Sequence, residues 1–176
     1  TSKVYSTRPS KLGIVGTDVF AHNSSVRERF RQEWNSRCHL FDRSFVTDEN
    51  LLTPAEFELS AQRVRDRSGP LRLMCAGRQI AIKGTDQLIR AVALARARGA
   101  GCTLDVIGDG DDLERFREVA GTAGVAGAVR FRGRVPYGAP LFEEWAQAQA
   151  LVITNLTAET SRNVLLGMAR GLPLIM

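Results

Sequence analysis

Residues 71–110 read LRLMCAGRQIAIKGTDQLIRAVALARARGAGCTLDVIGDG and contain one strand–helix–strand unit. The first apolar run, residues 71–76, is ended by Gly77, as is typical of a short buried strand. Residues 85–98 carry apolar side chains at helical spacing, and glycines stop the pattern. Residues 104–107, Leu-Asp-Val-Ile, are expected to form the next strand, which is again followed by glycines. This order predicts two parallel strands joined by a right-handed helical crossover.

The same alternation continues to the end of the sequence. Asp111, with Glu114 three residues later, is the expected N-cap of the next helix. Gly171 is expected to close the last helix. The remaining expected elements are strands at 129–131, 151–153 and 172–175 and helices at 141–148 and 163–169. Strand–helix repetition predicts an α/β protein with a doubly wound, Rossmann-like parallel sheet over residues 71–176.

The first 70 residues have a different pattern. Residues 12–15 and 39–46 are expected to form strands, and Ser25 with Glu28 forms a capping box for a helix through Trp34. Thr53 is the expected N-cap of a further helix that has Pro54 in its first turn. A polar hinge then precedes residue 71. We therefore divide the chain into residues 1–70 and 71–176.

The composition excludes several classes of protein. No apolar run of the 176-residue sequence approaches the roughly 20 residues that a membrane span needs. The net charge is +5, but the basic residues are scattered over expected helix faces, so a nucleic-acid partner is disfavoured. The cysteines, Cys38, Cys75 and Cys102, show no metal-ligand spacing and are expected to be reduced thiols, which favours a cytoplasmic location.

Four of the loops after the expected strands carry residues that suit a phosphate. Parallel strands end at one edge of the sheet, and ligands bind outside that edge. Glycines with exposed N–H groups, cations and a helix N-terminus favour an anion, although Gly108 and Gly110 also fit a plain tight turn. Neither a Walker motif nor G-x-G-x-x-G is present, which disfavours P-loop ATPases and dinucleotide oxidoreductases. The loops hold Gly77-Arg78 with Lys83-Gly84, then Gly108-Asp109-Gly110, Gly133-Arg134-Val135 and residues 154–161.

These motifs, in this order, resemble the C-terminal domain of group 1 (family 4) glycosyltransferases. The resemblance covers about residues 71–176 and, more loosely, the end of that family's N-terminal domain and the crossover in residues 11–70. The motifs that carry it are Gly77-Arg78 with Lys83-Gly84, Ile107-Gly108-Asp109-Gly110, Phe131-Arg132-Gly133-Arg134-Val135, and Glu159 followed by Asn163-Val164-Leu165-Leu166 and Gly171-Leu172-Pro173.

The resemblance implies one half of a GT-B fold, incomplete at both ends, with residues 1–70 as a remnant of the N-terminal domain. It also implies sugar transfer from a nucleoside-diphosphate donor with retention of anomeric configuration, without a metal or other cofactor. The implied acceptor is a sugar, lipid or protein, and the full-length protein is expected at the inner face of the membrane. The implied catalytic residues are Arg78, Lys83 and Glu159, and the implied donor-binding residues are Gly77, Gly108, Asp109, Gly110, Arg134, Val135, Thr160 and Ser161.

Two positions depart from the family's pattern. The second glutamate of the family's paired-glutamate motif, which holds the ribose, falls at Gly167, and Thr160-Ser161 replaces a common Gly-Phe pair. Two further functions therefore stay open: a sugar-nucleotide epimerase on the same fold, and a nucleotide-binding module that has lost activity.

Overall fold

The structure, a computed structural model, describes the backbone of residues 3–7, 10–15, 18–21 and 37–40. It describes backbone and side chains at 46–157 and 161–176. The chain divides into two compact units. The first comprises Thr1–Phe45 with Ala158–Thr160, and the second comprises Val46–Thr157 with Ser161–Met176.

The first unit contains a four-stranded sheet in the order β1-β2-β3-β4. The first three strands are antiparallel neighbours, and β3 pairs with β4 in parallel. The strand expected at 12–15 lies within β2, while β1 and β3 were not predicted. The expected helix from Ser25 through Trp34 lies outside the described residues. The strands are β1 Lys3–Thr7, β2 Ser10–Val15, β3 Asp18–Ala21 and β4 Arg37–Leu40, the last beginning before the run expected at 39–46.

The second unit is a five-stranded parallel sheet in the order β7-β6-β5-β8-β9. This confirms the expected doubly wound α/β fold. The helices are α1 Pro54–Arg65, α2 Thr85–Ala97, α3 Leu113–Thr122, α4 Ala139–Trp145 and α5 Asn163–Ala169. The strands are β5 Leu71–Ala76, β6 Cys102–Ile107, β7 Val129–Gly133, β8 Ala150–Val152 and β9 Leu174–Ile175.

Helices cover both faces of this sheet, because successive strand residues point to opposite sides. Leu73 and Cys75 of β5 join one core cluster with the buried residues of α2 and α3. Met74, between them, joins a second cluster with Trp145 of α4 and Leu166 of α5. A strand buried on both faces is rich in apolar residues, which is the signal that predicted β5 and β8. Strand β6 is apolar apart from Thr103 and the buried Asp105.

Glycine ends three of the helices of the second unit, two of them, at Gly99 and Gly171, as expected. Gly171 has φ +63°, and its N–H donates to Met168 while the N–H of Leu172 donates to the Gly167 carbonyl. This is the Schellman arrangement, which satisfies the last carbonyls of a helix. Gly99 and Gly124 close α2 and α3 with the same pair of hydrogen bonds.

One predicted cap was wrong. The N-cap of α3 is Asp112, not Asp111, and it makes no side-chain cap hydrogen bond. Its carboxylate accepts instead from the N–H of Ala81 at 2.7 Å and from Arg115 at 3.1 Å. The carboxylate thus binds the neighbouring loop and the Arg115 side chain rather than the first backbone N–H groups of its own helix.

Helix α1 packs against the amino ends of the strands. Arg63 Nε donates to the Ala148 carbonyl at 2.7 Å, and Ser60 Oγ donates to the Gly171 carbonyl at 3.1 Å. The assignment of residues 1–70 to an N-terminal domain and crossover stays a prediction. In the part of the chain that the structure describes, no helix has the length and apolarity of a membrane span.

Cys75 and Cys102 are free thiols buried in the first core cluster. Burial, with a smaller contribution from the charge of Asp105, raises the pKa of Cys75 to about 12. A thiol with such a pKa is almost entirely protonated near neutral pH and acts as a small apolar side chain.

Candidate functional site

Four loops lie at the carboxyl ends of the parallel strands. We call this edge, formed by residues 77–84, 108–112, 134–138, 153–157 and 161–162, the ligand edge. The chain crosses from β5 to β6 on one side and, later, reaches β8 on the other side. Such a reversal of strand order opens a crevice between neighbouring loops, and ligands of open α/β sheets bind there.

The loop after β5 is tied to the loop after β6 by backbone hydrogen bonds. The N–H of Gly77 donates to the Ile107 carbonyl at 3.0 Å, and the N–H of Gln79 donates to the Asp109 carbonyl at 2.9 Å. The N–H of Gly108 in turn donates to Gly133 at 2.7 Å. Three neighbouring loops are thereby held in one row.

Close approach of these loops requires glycine at two of the predicted donor-binding positions. A Cβ atom at Gly108 would lie 1.9 Å from the carbonyl oxygen of Gly77. One at Gly110 would lie 2.4 Å from the carbonyl oxygen of Gln79. Loop packing therefore accounts for both glycines, whether or not a ligand also contacts them.

The loop after β8 holds the other end of the β5 loop. Thr154 Oγ1 donates to the Lys83 carbonyl at 2.8 Å, and the N–H of Leu156 donates to the Ile82 carbonyl at 2.9 Å. Gly84 has φ +68°, and a Cβ there would lie 2.2 Å from the Thr154 carbonyl oxygen. The β5 loop is thus fixed on both sides of the crevice.

The first residue of α5 also contacts β5 across the crevice. Asn163 Nδ2 donates to the carbonyl of Ala76, the last residue of β5, at 2.5 Å. Ser161 is half-buried, and its Oγ accepts from the N–H of Asn163 at 3.3 Å. Glu159 and Thr160 lie outside the described residues, so their predicted roles stay predictions.

Three carboxylates at or next to this edge already have donors. Asp112 accepts from Ala81 and Arg115, Asp86 pairs with Arg115 at 3.0 Å, and Asp109 accepts from the N–H of Gly110 at 2.8 Å. Asp109 thereby makes the local turn bond that this residue type commonly makes.

The predicted cations of the edge are free by contrast. Within residues 46–157 and 161–176, the side chains of Arg78, Lys83 and Arg134 have no hydrogen bond or ion pair. Arg78 and Arg134 are exposed and Lys83 is half-buried. These three cations are therefore available to an anionic ligand. Val135, next to Arg134, is half-buried against the second core cluster and fixes the start of that loop.

Gly167 does not face the ligand edge. It is buried in α5, and a Cβ there would lie 2.8 Å from Leu151 Cδ2 and 3.0 Å from Leu174 Cδ2. A glutamate at this position would enter the apolar core between β8 and β9. Gly167 is therefore a core-packing position, and α5, whose sequence is NVLLGMA, carries no carboxylate.

Sequence reasoning missed Gln79, Thr154 and Asn163, which bind the loops to one another. A polar residue in a loop is ordinarily expected to be solvated, so no periodic signal marks Gln79 or Thr154 as buried or half-buried. Asn at the start of a helix is a familiar capping residue, and that signal could have drawn attention to Asn163.

A cavity of about 160 Å³ lies elsewhere, between α1 and α4. None of its lining residues belongs to the ligand edge. Its two guanidinium groups are engaged: Arg63 donates to Ala148 and Ser60, and Arg170 stacks on Phe142 at 4.8 Å from the ring centroid. The loops with unpaired cations are the better candidate for the functional site.

Comparison with known proteins gives a matching family model and a curated relative. The family model described as glycosyl transferases group 1 matches residues 70–176, more than half of the chain. A curated relative from Mycobacterium tuberculosis is 33% identical over 122 residues, which cover 68% of this chain and 32% of the relative. It is a GDP-mannose-dependent alpha-(1-6)-phosphatidylinositol monomannoside mannosyltransferase.

Solved structures share the fold. WaaG, a glycosyltransferase involved in lipopolysaccharide biosynthesis, superposes with a TM-score of 0.68 at 19% identity and covers 88% of this chain and 42% of its own. Anabaena Alr3699/HepE, in complex with UDP and glucose, superposes with a TM-score of 0.65 at 19% identity, with the same two coverages. The present chain spans about a third of the length of the curated relative.

Proposed function

Because the chain belongs to the group 1 glycosyl transferases, we propose that it is the donor-binding part of a GT-B enzyme. This enzyme transfers a sugar from a nucleoside diphosphate to a sugar, lipid or protein acceptor, with retention of anomeric configuration and without a metal. The observation that carries the proposal is the pair of unpaired cations, Arg78 and Lys83, on a loop fixed at both ends at the ligand edge.

The proposed chemistry is electrostatic. When the bond between the sugar and the diphosphate breaks, negative charge grows on the leaving phosphate, and cations placed there beforehand stabilise the transition state. Arg78 offers a planar fork for two phosphate oxygens, whereas Lys83 offers a compact point charge. Helix α2 begins directly after Lys83 and Gly84, so its first N–H groups and its dipole add to this field.

The remaining roles follow the family pattern. The backbone around Arg134 and Val135 holds the base, and Glu159 contacts the donor sugar. The amides of Thr160 and Ser161 face the sugar or the phosphate, and Gly77, Gly108, Asp109 and Gly110 shape the loops around the diphosphate. The relative's use of GDP-mannose and the UDP complexes of the structural neighbours make guanine and uracil nucleotides the first candidates for the donor.

The location of the full-length protein is part of the proposal. A glycolipid is the acceptor named for the curated relative, and an acceptor of that kind is membrane-bound. We propose that the enzyme is cytoplasmic and works at the inner face of the membrane.

The test replaces each cation. Arg78→Ala and Lys83→Ala should each weaken binding of GDP or UDP by about ten- to a hundredfold, the value of a charged hydrogen bond. Guanosine or uridine binding should be nearly unchanged, because the nucleoside lacks the diphosphate. Arg98→Ala is the matched control: Arg98 is exposed, and it lies at the far end of α2. Titration calorimetry measures all three, and equal nucleotide affinity in the parent and both loop variants would refute the assignment.

The absence of a carboxylate in α5 favours one second candidate, a nucleotide-binding module that has lost transferase activity. In that case the ribose hydroxyls lack the charged acceptor that the family's second glutamate supplies. A full-length protein that binds nucleotide sugar yet neither transfers nor hydrolyses it would identify the chain as such a module. Turnover by the full-length protein would exclude it.

A further inference from the structure

Gln79 is a buried polar residue between the two predicted phosphate-binding cations. Only 2% of its surface is exposed, although it lies in a loop. Its Nε2 donates to the carbonyls of Gly77 at 2.9 Å and Ile107 at 3.1 Å, and its Oε1 accepts from Thr85 Oγ1 at 2.9 Å. Both amide protons and the amide oxygen are therefore used.

These three bonds join the two ends of one loop to a neighbouring strand. Gly77 ends β5, Thr85 begins α2, and Ile107 ends β6. The Gln79 backbone adds two more bonds to the next loop: its N–H donates to Asp109 at 2.9 Å, and its carbonyl accepts from Asp112 at 3.1 Å. One residue thus fixes the segment on which Arg78 and Lys83 stand.

The chemistry of the side chain suits this place. The two carbonyls need donors and the Thr85 hydroxyl needs an acceptor, and a neutral carboxamide supplies both. A glutamate would set a charge against the carbonyls and beside a diphosphate. A methionine would fill a similar volume and remove all three side-chain hydrogen bonds.

We infer that Gln79 is a positioning residue for nucleoside-diphosphate binding, acting through the loop that carries Arg78 and Lys83. The inference rests on the proposed function, since it assumes that this loop receives the diphosphate. A loop already held in its binding conformation loses less entropy when the ligand arrives, so its cations bind more tightly. The phosphate contribution to affinity should depend on Gln79, and the nucleoside contribution should not.

The chain contains a matched control at the opposite edge of the same sheet. Gln149 is 3% exposed and precedes β8. Its Nε2 donates to the carbonyls of Arg63 at 3.0 Å and Asp66 at 2.7 Å, and its Oε1 accepts from the N–H of Arg72 at 3.0 Å. Gln79 and Gln149 thus have nearly the same burial and the same number of side-chain bonds, with Oε1 accepting from a hydroxyl in Gln79 and from a backbone N–H in Gln149.

The experiment compares Gln79→Met with Gln149→Met in the 176-residue chain. Calorimetry gives the affinities for GDP, UDP, guanosine and uridine, and thermal unfolding gives the stability of each variant. Both variants should unfold at lower temperature. Gln79→Met should weaken diphosphate binding about tenfold and change nucleoside binding by less than about twofold. Gln149→Met should leave the ratio of the two affinities unchanged.

Thr85→Val provides a milder variant that loses one of the three bonds. It should weaken diphosphate binding about threefold and nucleoside binding not at all, which keeps the test open should Gln79→Met fail to fold. The inference is overturned if the ratio of diphosphate to nucleoside affinity is the same in Gln79→Met, Thr85→Val and Gln149→Met as in the parent. The proposed function would then still stand. A parent chain that binds neither diphosphate would overturn the proposed function, and this inference with it.

Discussion

The loops of the ligand edge can pack together because glycine lacks a Cβ atom at the points of closest approach. At Gly108 the backbone has φ +121°, a conformation that side chains rarely adopt, and the neighbouring carbonyl occupies the place of a Cβ. Any other residue must therefore move the β6 loop away from the β5 loop. The cost combines backbone strain with the loss of the hydrogen bonds between the loops.

We expect Gly108→Ala to destabilise the fold by about 2–4 kcal/mol, since both strain and a steric clash act at one position. The matched control is Gly121→Ala in α3, where a Cβ meets no atom within 4 Å and φ is not positive. That change should stabilise the chain by about 0.5–1 kcal/mol, because glycine is a poor helix former. Urea unfolding of both variants measures the two effects. A Gly108→Ala variant as stable as the parent would show that the loops separate without cost.

The sequence predicted the charged residues of the edge better than its polar ones. Arg78 and Lys83 were expected beside glycines at a strand end, and that position depends only on the strand–helix alternation. Gln79 could not be predicted, because its burial depends on the distance between the β5 and β6 loops, which no local pattern contains. Asp111 was assigned the cap of α3 on spacing alone, yet the bond to Ala81 draws the next residue, Asp112, into place.

Helix α1 begins with a complete capping box. Thr53 Oγ1 accepts from the N–H of Glu56 at 3.3 Å, and the Glu56 carboxylate accepts from the N–H and hydroxyl of Thr53 at 2.8 and 2.7 Å. The Thr53 backbone bond, followed by its side-chain bond, lowers the pKa of Glu56 from its ordinary value. This reciprocal pair fixes the entry of the helix whose far end contacts the amino ends of the strands.

Loss of this cap should be visible in stability and should depend on pH. Thr53→Ala should lower the melting temperature by about 2–4 °C near pH 7, since an N-cap contributes about 1 kcal/mol. A carboxyl with a depressed folded pKa stabilises above its unfolded pKa, and this contribution is lost as the pH falls through the folded pKa. The difference between parent and variant should therefore narrow when the pH is lowered below about 4.

Thr53→Ser retains the hydroxyl and is the control for this cap. Its melting temperature should be close to that of the parent both near pH 7 and below about pH 4. A difference between the parent and Thr53→Ala that stays constant from neutral to acid pH would mean that Glu56 takes no part in the cap.

Elements that are buried on both faces were predicted well, and those that depend on partners were not. Strands β5 and β6 are mostly apolar, and Gly99 and Gly171 mark helix ends through their local sequence. Strand β9 begins at Leu174 rather than at residue 172, because the N–H of Leu172 is committed to the end of α5. Strands β1 and β3 exist through pairing with β2, and pairing is a non-local event.

Across the molecule, the second unit presents one row of loops to a ligand. In the GT-B arrangement that the family uses, a second domain closes over such a row, excludes water and aligns the acceptor. The 176-residue chain covers about a third of its curated relative. We therefore expect nucleotide binding to be present in this chain and catalysis to require the rest of the enzyme.

We expect the isolated chain to bind nucleoside diphosphates and to transfer no sugar. The assay follows the release of GDP from GDP-mannose and of UDP from UDP-glucose, with sugar and glycolipid acceptors, and uses the mycobacterial mannosyltransferase as its positive control. Measurable transfer by the isolated chain would mean that one domain suffices for the reaction.

The contact of Gly84 with Thr154 has a consequence for directed evolution. A library meant to change the donor sugar would naturally randomise whole loops, yet most members would then fail for lack of a glycine at 84, 108 or 110. Exposed positions such as Arg134 and Tyr137 can vary without meeting that barrier. A productive library would therefore vary a small set of exposed side chains in this domain and keep Gly84, Gly108 and Gly110 unchanged.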